Sequence, residues 1–211
     1  MKLKYFAHAC FSLSYADGTV LVTDPYDQSV TYPPCDIPCT AALVSHDHFD
    51  HNHVESLAGE FAVVKTAGEH TVGNLKISAT PAFHDPEQGA LRGSNLLFRI
   101  EGEGLSVAHI GDLGHMPNEA QLAALQGLDV LMLPIGGTYT ITTEQAEELI
   151  SILKPRIAVA MHFRTDDYEI NISTPDQFIA DMQAVRMPRE IEITAENIGS
   201  LPPVIIMNHK D

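Results

Sequence analysis

Positive charge is scarce in this sequence: 12 Lys plus Arg stand against 28 Asp plus Glu, a formal net charge of −16. A surface of that sign repels phosphate backbones and anionic lipid, which argues against nucleic-acid or membrane binding through a basic patch. A bound divalent cation would reverse the local sign inside a cleft, so a small phosphorylated substrate stays admissible. Apolar runs are short, and none approaches the ~20 residues a helix needs to span a bilayer. The opening Met1-Lys2-Leu3-Lys4-Tyr5-Phe6-Ala7-His8 lacks the apolar core of a signal peptide. Cysteine is limited to Cys10, Cys35 and Cys39, an odd number in a chain too large to depend on a disulfide framework. The expected location is cytoplasmic. Low-complexity tracts, linkers and short repeats are missing too. At 211 residues and 45% apolar, the chain reads as one globular domain over residues 1–211.

What is present begins with short strands, over 2–7, 11–15 and 19–23, the last two joined by an Asp17-Gly18 turn. Pro25, Pro33, Pro34 and Pro38 mark a long ordered loop, expected to form a lip over a site. Further strands are expected at 41–45, 75–82, 95–101, 105–110, 130–133 and 157–161. Asn118 is placed to cap a short helix that ends at Gly127. Ala146, Leu149, Ile150 and Leu153 form the apolar stripe of a second helix, with Thr142 and Gln145 as its capping box and Pro155 as its stop. Thr174-Pro175 opens a third, with Phe178, Ile179 and Met182 on its buried face. Strands first, then strands alternating with helices, suggest packed sheets with helices outside.

The chemistry is concentrated in His46-Asp47-His48-Phe49-Asp50-His51, where five of six residues are His or Asp at the end of an apolar strand. In an extended backbone His46 and His48 face the same side. Asp50 and His51, beyond Phe49, can turn towards a second position. Imidazole and carboxylate are ligands of Zn²⁺, Mn²⁺ and Fe²⁺, and such crowding of titratable groups makes sense when a cation neutralises it. The alternative is a solvated polar loop. Against that, His84, Asp112 and His162 also fall at or just beyond the ends of expected strands.

This pattern resembles the metallo-β-lactamase superfamily, in its hydrolase branches with a His-x-His-x-Asp-His motif. The resemblance takes in His8-Ala9-Cys10-Phe11, Thr23-Asp24-Pro25, Ile110-Gly111-Asp112, Leu133-Pro134-Ile135-Gly136-Gly137 and Ala160-Met161-His162-Phe163. It is nearest to the small stand-alone hydrolases related to the L-ascorbate-6-phosphate lactonases. The resemblance implies a four-layer αββα sandwich, two mixed sheets with helices outside. It implies two divalent metals, zinc first with manganese or iron as alternatives. His46, His48 and His84 would hold the first, Asp50, His51 and His162 the second, and Asp112 would bridge them. No cysteine matches the thiolate ligand of the common β-lactamases. His48 stands where the flavodiiron branch would carry Glu.

A two-metal-bound hydroxide would then cleave a small ester, lactone or phosphoester, with Asp50 orienting it and accepting its proton. His8 and His109 are candidates for catalytic or supporting roles beside the metals, with a structural role as the alternative. His115, Tyr139 and Arg164 are candidates for substrate contact, Arg164 because a guanidinium grips a carboxylate or phosphate. Cys35 and Cys39 are too few for a zinc site, and Cys10 reads as a buried strand thiol. The expected partner is a small-molecule substrate, with homo-oligomers left open. Two other readings remain: a di-iron redox protein on the same fold, and a metal-binding domain without turnover.

Overall fold

The structure, a computed structural model, describes residues 1–210; Asp211, the last residue of the expected domain, lies outside them. Two mixed sheets face each other. In the first, β1 (Lys2–Ala7), β2 (Cys10–Ser14) and β3 (Val20–Thr23) run as an antiparallel meander, and β4 (Ala41–Leu43) and β5 (Ala62–Val64) continue it in parallel. In the second, β6 (Gly68–Val72), β7 (Leu75–Phe83), β8 (Ser94–Gly102) and β9 (Leu105–His109) are antiparallel neighbours. Then β10 (Val130–Pro134) and β11 (Ile157–Met161) add on in parallel. Late strands complete both sheets. β12 (Val185–Met187) and β14 (Val204–Met207) extend the second, giving the order β12-β14-β11-β10-β9-β8-β7-β6, and β13 (Glu190–Glu192) edges the first beside β1.

Side-chain alternation builds the core. Leu3, Tyr5, Phe11, Leu13, Leu21 and Leu43 of the first sheet join Ile77, Phe98, Val107 and Leu131 of the second in one buried cluster. All five residues of β10 and of β11 are buried, as expected for parallel strands covered on both faces. Pro81 is accommodated within β7 because β6 pairs only with Leu75–Ala79, so the missing N–H breaks no ladder bond on that side.

The expected helices form, the first two with the expected N-terminal caps, and the first stops at Ala124, short of Gly127. Helix α1 (Glu119–Ala124) carries a reciprocal Asn118–Gln121 capping box, and α2 (Thr143–Leu153) carries the Thr142–Gln145 box. Helix α2 ends at Lys154 in the left-handed region, just before Pro155. Helix α3 (Asp176–Met182) buries Phe178, while Ile179 and Met182 are only partly buried.

The segment after the His/Asp motif forms a single 3-10 turn, Val54–Ser56. One local expectation is corrected. The proline-rich loop is not chiefly a lip over the site. Its Tyr26, Val30, Tyr32, Cys35 and Cys39 pack on Phe6, Cys10, Val22 and Ala42, the outward positions of the first sheet. That sheet is therefore covered by loop and 3-10 turn, and α1, α2 and α3 all contribute buried or partly buried side chains to the larger cluster that both sheets share. No helix among the described residues is long and apolar enough to cross a membrane.

Phe98 is fully buried in this central cluster. Phe98→Ala is expected to cost about 3–5 kcal/mol. That corresponds to a thermal midpoint lower by roughly 6–20 °C for a chain of this size, read by circular dichroism. A shift of a degree or two would contradict this account of the core.

Candidate metal centre

Strand ends from both sheets converge on one edge. His8 follows β1, Asp24 follows β3, and Ser45 and His46 lie just past β4. His84 follows β7, Asp112 lies three residues past β9, and His162 follows β11. His8, Asp24 and His162 adopt left-handed backbone conformations, with φ of 56°, 40° and 51°. Asp and His tolerate this region better than most residues, and the surroundings hold it: His162 donates its N–H to His8 O at 2.8 Å, and Asp24 donates its N–H to Leu43 O at 2.9 Å.

The side chains form two adjoining donor groups. One is His46, His48 and His84; the other is His8, Asp50, His51 and His162, and in each group the ligand atoms lie within 4.8 Å of one another. Asp112 stands between them. Its Oδ2 is 3.3 Å from His84 Nε2 on one side, and 3.3 Å from His51 Nε2 and 3.1 Å from His162 Nε2 on the other. The structure thus brings together all seven residues expected as ligands, and adds His8, whose Nε2 lies 3.2 Å from Asp50 Oδ2.

A supporting layer fixes these groups. Asp24 is fully buried and accepts from Ser45 N at 2.7 Å and Ser45 Oγ at 2.6 Å, with His51 Nδ1 at 3.0 Å. Ser45 Oγ is also 2.9 Å from His46 Nδ1, so one carboxylate orients two imidazoles. Asn95 accepts from Asp112 N at 3.1 Å and donates to Ile110 O at 2.9 Å, fixing the backbone that carries Asp112. Of these, only Asp24 falls within a segment that carries the family resemblance, and no role attaches to it there; a carboxylate directly after an apolar strand is the available signal.

Electrostatics follow from burial. For Asp112 burial raises the pKa, but His162 and His51 outweigh it and hold the carboxyl well below its usual range. Burial lowers His51, and Asp112, Asp24 and Asp50 overcome that and lift it well above an ordinary histidine. Burial, then His51, pushes His46 down, and burial followed by His162 pushes His8 down to about 4. His46 and His8 are therefore neutral imidazoles at neutral pH, with a lone pair available for coordination or hydrogen bonding.

The other expected site residues fall differently. His109 is fully buried; Nε2 lies 2.8 Å from Ala9 O and Nδ1 accepts from Gly111 N at 3.2 Å. Both nitrogens are engaged by backbone, so it braces the two sheets beneath the site. His115 is engaged likewise, with Phe83 N and Met116 O. Arg164 is exposed and lines a separate groove with Asp166, Asp176 and Arg186, because the chain turns away after His162. Tyr139 does line the cleft at the Asp/His cluster, a space of about 630 Å³. Phe49, Arg92, Tyr168 and Ile170 line it too, and the last three were not anticipated.

The donor set fits metal ions. His46 Nε2, His51 Nε2, His84 Nδ1, His162 Nδ1 and Asp112 Oδ1 are buried without hydrogen-bond partners. Unsatisfied buried polar atoms are rare in folded proteins, and five in one cluster of nitrogen and oxygen donors suit divalent cations. Gly111, at φ +52°, is required beneath them: a Cβ there would lie inside contact distance of Asn95 Oδ1 and Ser45. Gly111→Ala is expected to displace Asp112 and Ser45 and weaken metal retention by about 10–100-fold, the range for loss of an outer partner. Metal per chain after dialysis reads this, and an unchanged content would refute it.

Comparison with known proteins agrees with the site. Residues 2–162 match the family model of the beta-lactamase superfamily domain. A UPF0173 metal-dependent hydrolase of Opitutus terrae is 29% identical over 229 residues, covering 94% of this chain and 99% of the relative. A Thermotoga maritima structure, assigned to the Zn-dependent hydrolases of the metallo-beta-lactamase superfamily, superposes with a TM-score of 0.82 at 32% identity, covering 98% of this chain and 97% of that one. Igni18, a metallo hydrolase of Ignicoccus hospitalis, shares the fold with a TM-score of 0.67 at 21% identity, covering 100% of this chain and 96% of its own. The chain belongs to the metallo-β-lactamase superfamily and is one of its metal-dependent hydrolases.

Proposed function

We propose that the cluster holds two divalent metals and hydrolyses a small ester, lactone or phosphoester. The observation that carries this is Asp112 Oδ2, placed 3.1–3.3 Å from imidazole nitrogens of both donor groups. A single carboxylate so placed joins two coordination shells. His46, His48 and His84 are assigned to one metal and Asp50, His51 and His162 to the other, with Asp112 shared. When bound, such a pair supplies Lewis acidity and brings the pKa of water towards ~7. Zinc is the first candidate, and manganese or iron suit the same nitrogen and oxygen donors.

The protein's own residues orient the donors. Asp24 and Ser45 hold the rings of His51 and His46 in place. Asp50 keeps its carboxyl ionised: burial would raise its pKa, but His8 and His51 bring it below the usual range. Neutral His8, as the Nε2–H tautomer, donates to Asp50 Oδ2 and leaves Oδ1 free to accept a proton from the attacking water. Phe49, Tyr139, Tyr168 and Ile170 give the cleft an apolar wall beside the donor cluster. No serine or cysteine nucleophile is needed; Cys10, Cys35 and Cys39 are all buried outside this cleft.

The full chain reconstituted separately with Zn²⁺ and with Mn²⁺ is expected to turn over members of an ester, lactone and phosphodiester panel. His48→Ala and Asp112→Ala should each lower kcat/KM by more than the about 10–100-fold lost with an outer partner. Undiminished turnover in both variants would rule out this mechanism.

A further inference from the structure

Arg92, like Arg164, Arg186 and Arg189, has no carboxylate within salt-bridge distance among the described residues, and of these it is the one that lines the cleft at the donor cluster. Its guanidinium sits in the cleft that His48, His84 and Asp112 also line. There it packs over the Tyr139 ring at 5.5 Å from the centroid, and its one hydrogen bond, to Thr138 O, is long at 3.4 Å. Most of the five N–H donors of this guanidinium are left for another partner. Arg99 and Arg156, by contrast, are paired with Glu101 and Asp129.

The loop that presents Arg92 is built for rigidity. Asp85, directly after His84 and itself fully buried, accepts four backbone N–H groups: Glu87 at 2.8 Å, Gly89 at 2.9 Å, Leu91 at 3.1 Å and Arg92 at 2.7 Å. His84 N donates to Gly93 O at 3.0 Å and closes the loop at its base. The backbone of Arg92 is thus tied to the strand end that carries His84. A guanidinium held with little freedom to lose is a pre-organised receptor for an oxyanion, which it grips through paired N–H groups.

Building on the hydrolase reading, we propose that Arg92 sets substrate class: the substrate carries an oxyanion, carboxylate or phosphate, that Arg92 binds while the scissile bond lies at the Asp112 cluster. Tyr139 supports the guanidinium, and Asp85 acts as the positioning residue for its loop. The overall charge of −16 discourages anions from approaching, so a local cation is what admits this class and rejects neutral look-alikes.

The test uses the metal-loaded full chain and three probes of similar shape: phenylphosphonate, benzoate and neutral benzamide. Calorimetric titration of wild type should show one or both anions binding more tightly than benzamide, and the tighter anion identifies phosphate or carboxylate. Arg92→Met is expected to weaken the preferred anion about 10–100-fold, the loss typical of a hydrogen bond to a charged group. Arg92→Lys, which keeps the charge and the fold but loses the fork, should fall in between. Equal affinity for that anion in wild type, Arg92→Met and Arg92→Lys would overturn the inference, even if ester turnover is found. Arg92-dependent binding without turnover of any panel substrate would support it, and remove the hydrolase reading instead.

Discussion

Burying carboxylates among imidazoles is the constraint on which this molecule is organised. Asp24, Asp112, His51 and His162 are each at most 2% exposed. Taking a carboxylate out of water costs several kcal/mol unless a positive charge and hydrogen bonds meet it. In the protein alone His51 answers that need, lifted well above its ordinary pKa between Asp112 and Asp24. Divalent cations would answer it more completely, because His46 Nε2 and Asp112 Oδ1, which no protein group reaches, are donor atoms open to them. Binding and folding would then be coupled through the same atoms. A cation bound here would stabilise the fold by neutralising what the fold has buried.

The two-sheet architecture makes that burial achievable. Loops alone would leave such groups in water, whereas strand ends converging from both sheets bring backbone and side chains to one edge with little freedom. The cost appears as backbone strain, with His8, Asp24 and His162 in the left-handed region. Each is offset by a hydrogen bond that crosses between elements, such as His162 N to His8 O. His109 contributes from below, bonding Ala9 O across the gap between the sheets. Its position two residues before Gly111 makes it a brace for the turn that delivers Asp112.

Much of the donor cluster was legible because its residues sit at chain positions where apolar strands stop. Val44-Ser45-His46, Phe83-His84 and Met161-His162 announce both burial and a change of direction. Contacts made by the turning backbone were not legible in this way. Arg164 follows His162 by two positions, yet the left-handed turn at His162 sends the chain away from the cleft. Arg92 is eight residues from His84, and only the four backbone hydrogen bonds gathered by Asp85 return it to the site. The proline-rich loop was read as a lip, whereas Tyr26, Val30 and Tyr32 find their apolar surface on the outer face of the first sheet. The short strands at 62–64 and 185–187 show no clean alternation, and the one at 190–192 alternates over only three residues, so tertiary pairing rather than local pattern defines them.

Charge then links the scales. A net charge of −16 raises the local concentration of divalent cations and lowers that of anions around the whole surface. At the cleft the sign reverses over a few ångströms, through whatever cations the Asp112 cluster holds and through Arg92 at its wall. The two positive features differ in kind. In the proposed hydrolysis the metal cluster would act on any scissile carbonyl or phosphoryl group that reaches it and would therefore be chemically permissive. Arg92 would act on a part of the molecule that does not react, so its contribution would be to orientation and choice. A site divided this way can keep its chemistry constant while the loop fixed by Asp85 changes what it accepts, so on the proposed reading the specificity of this chain is to be sought in residues 85–93 rather than in the ligand set.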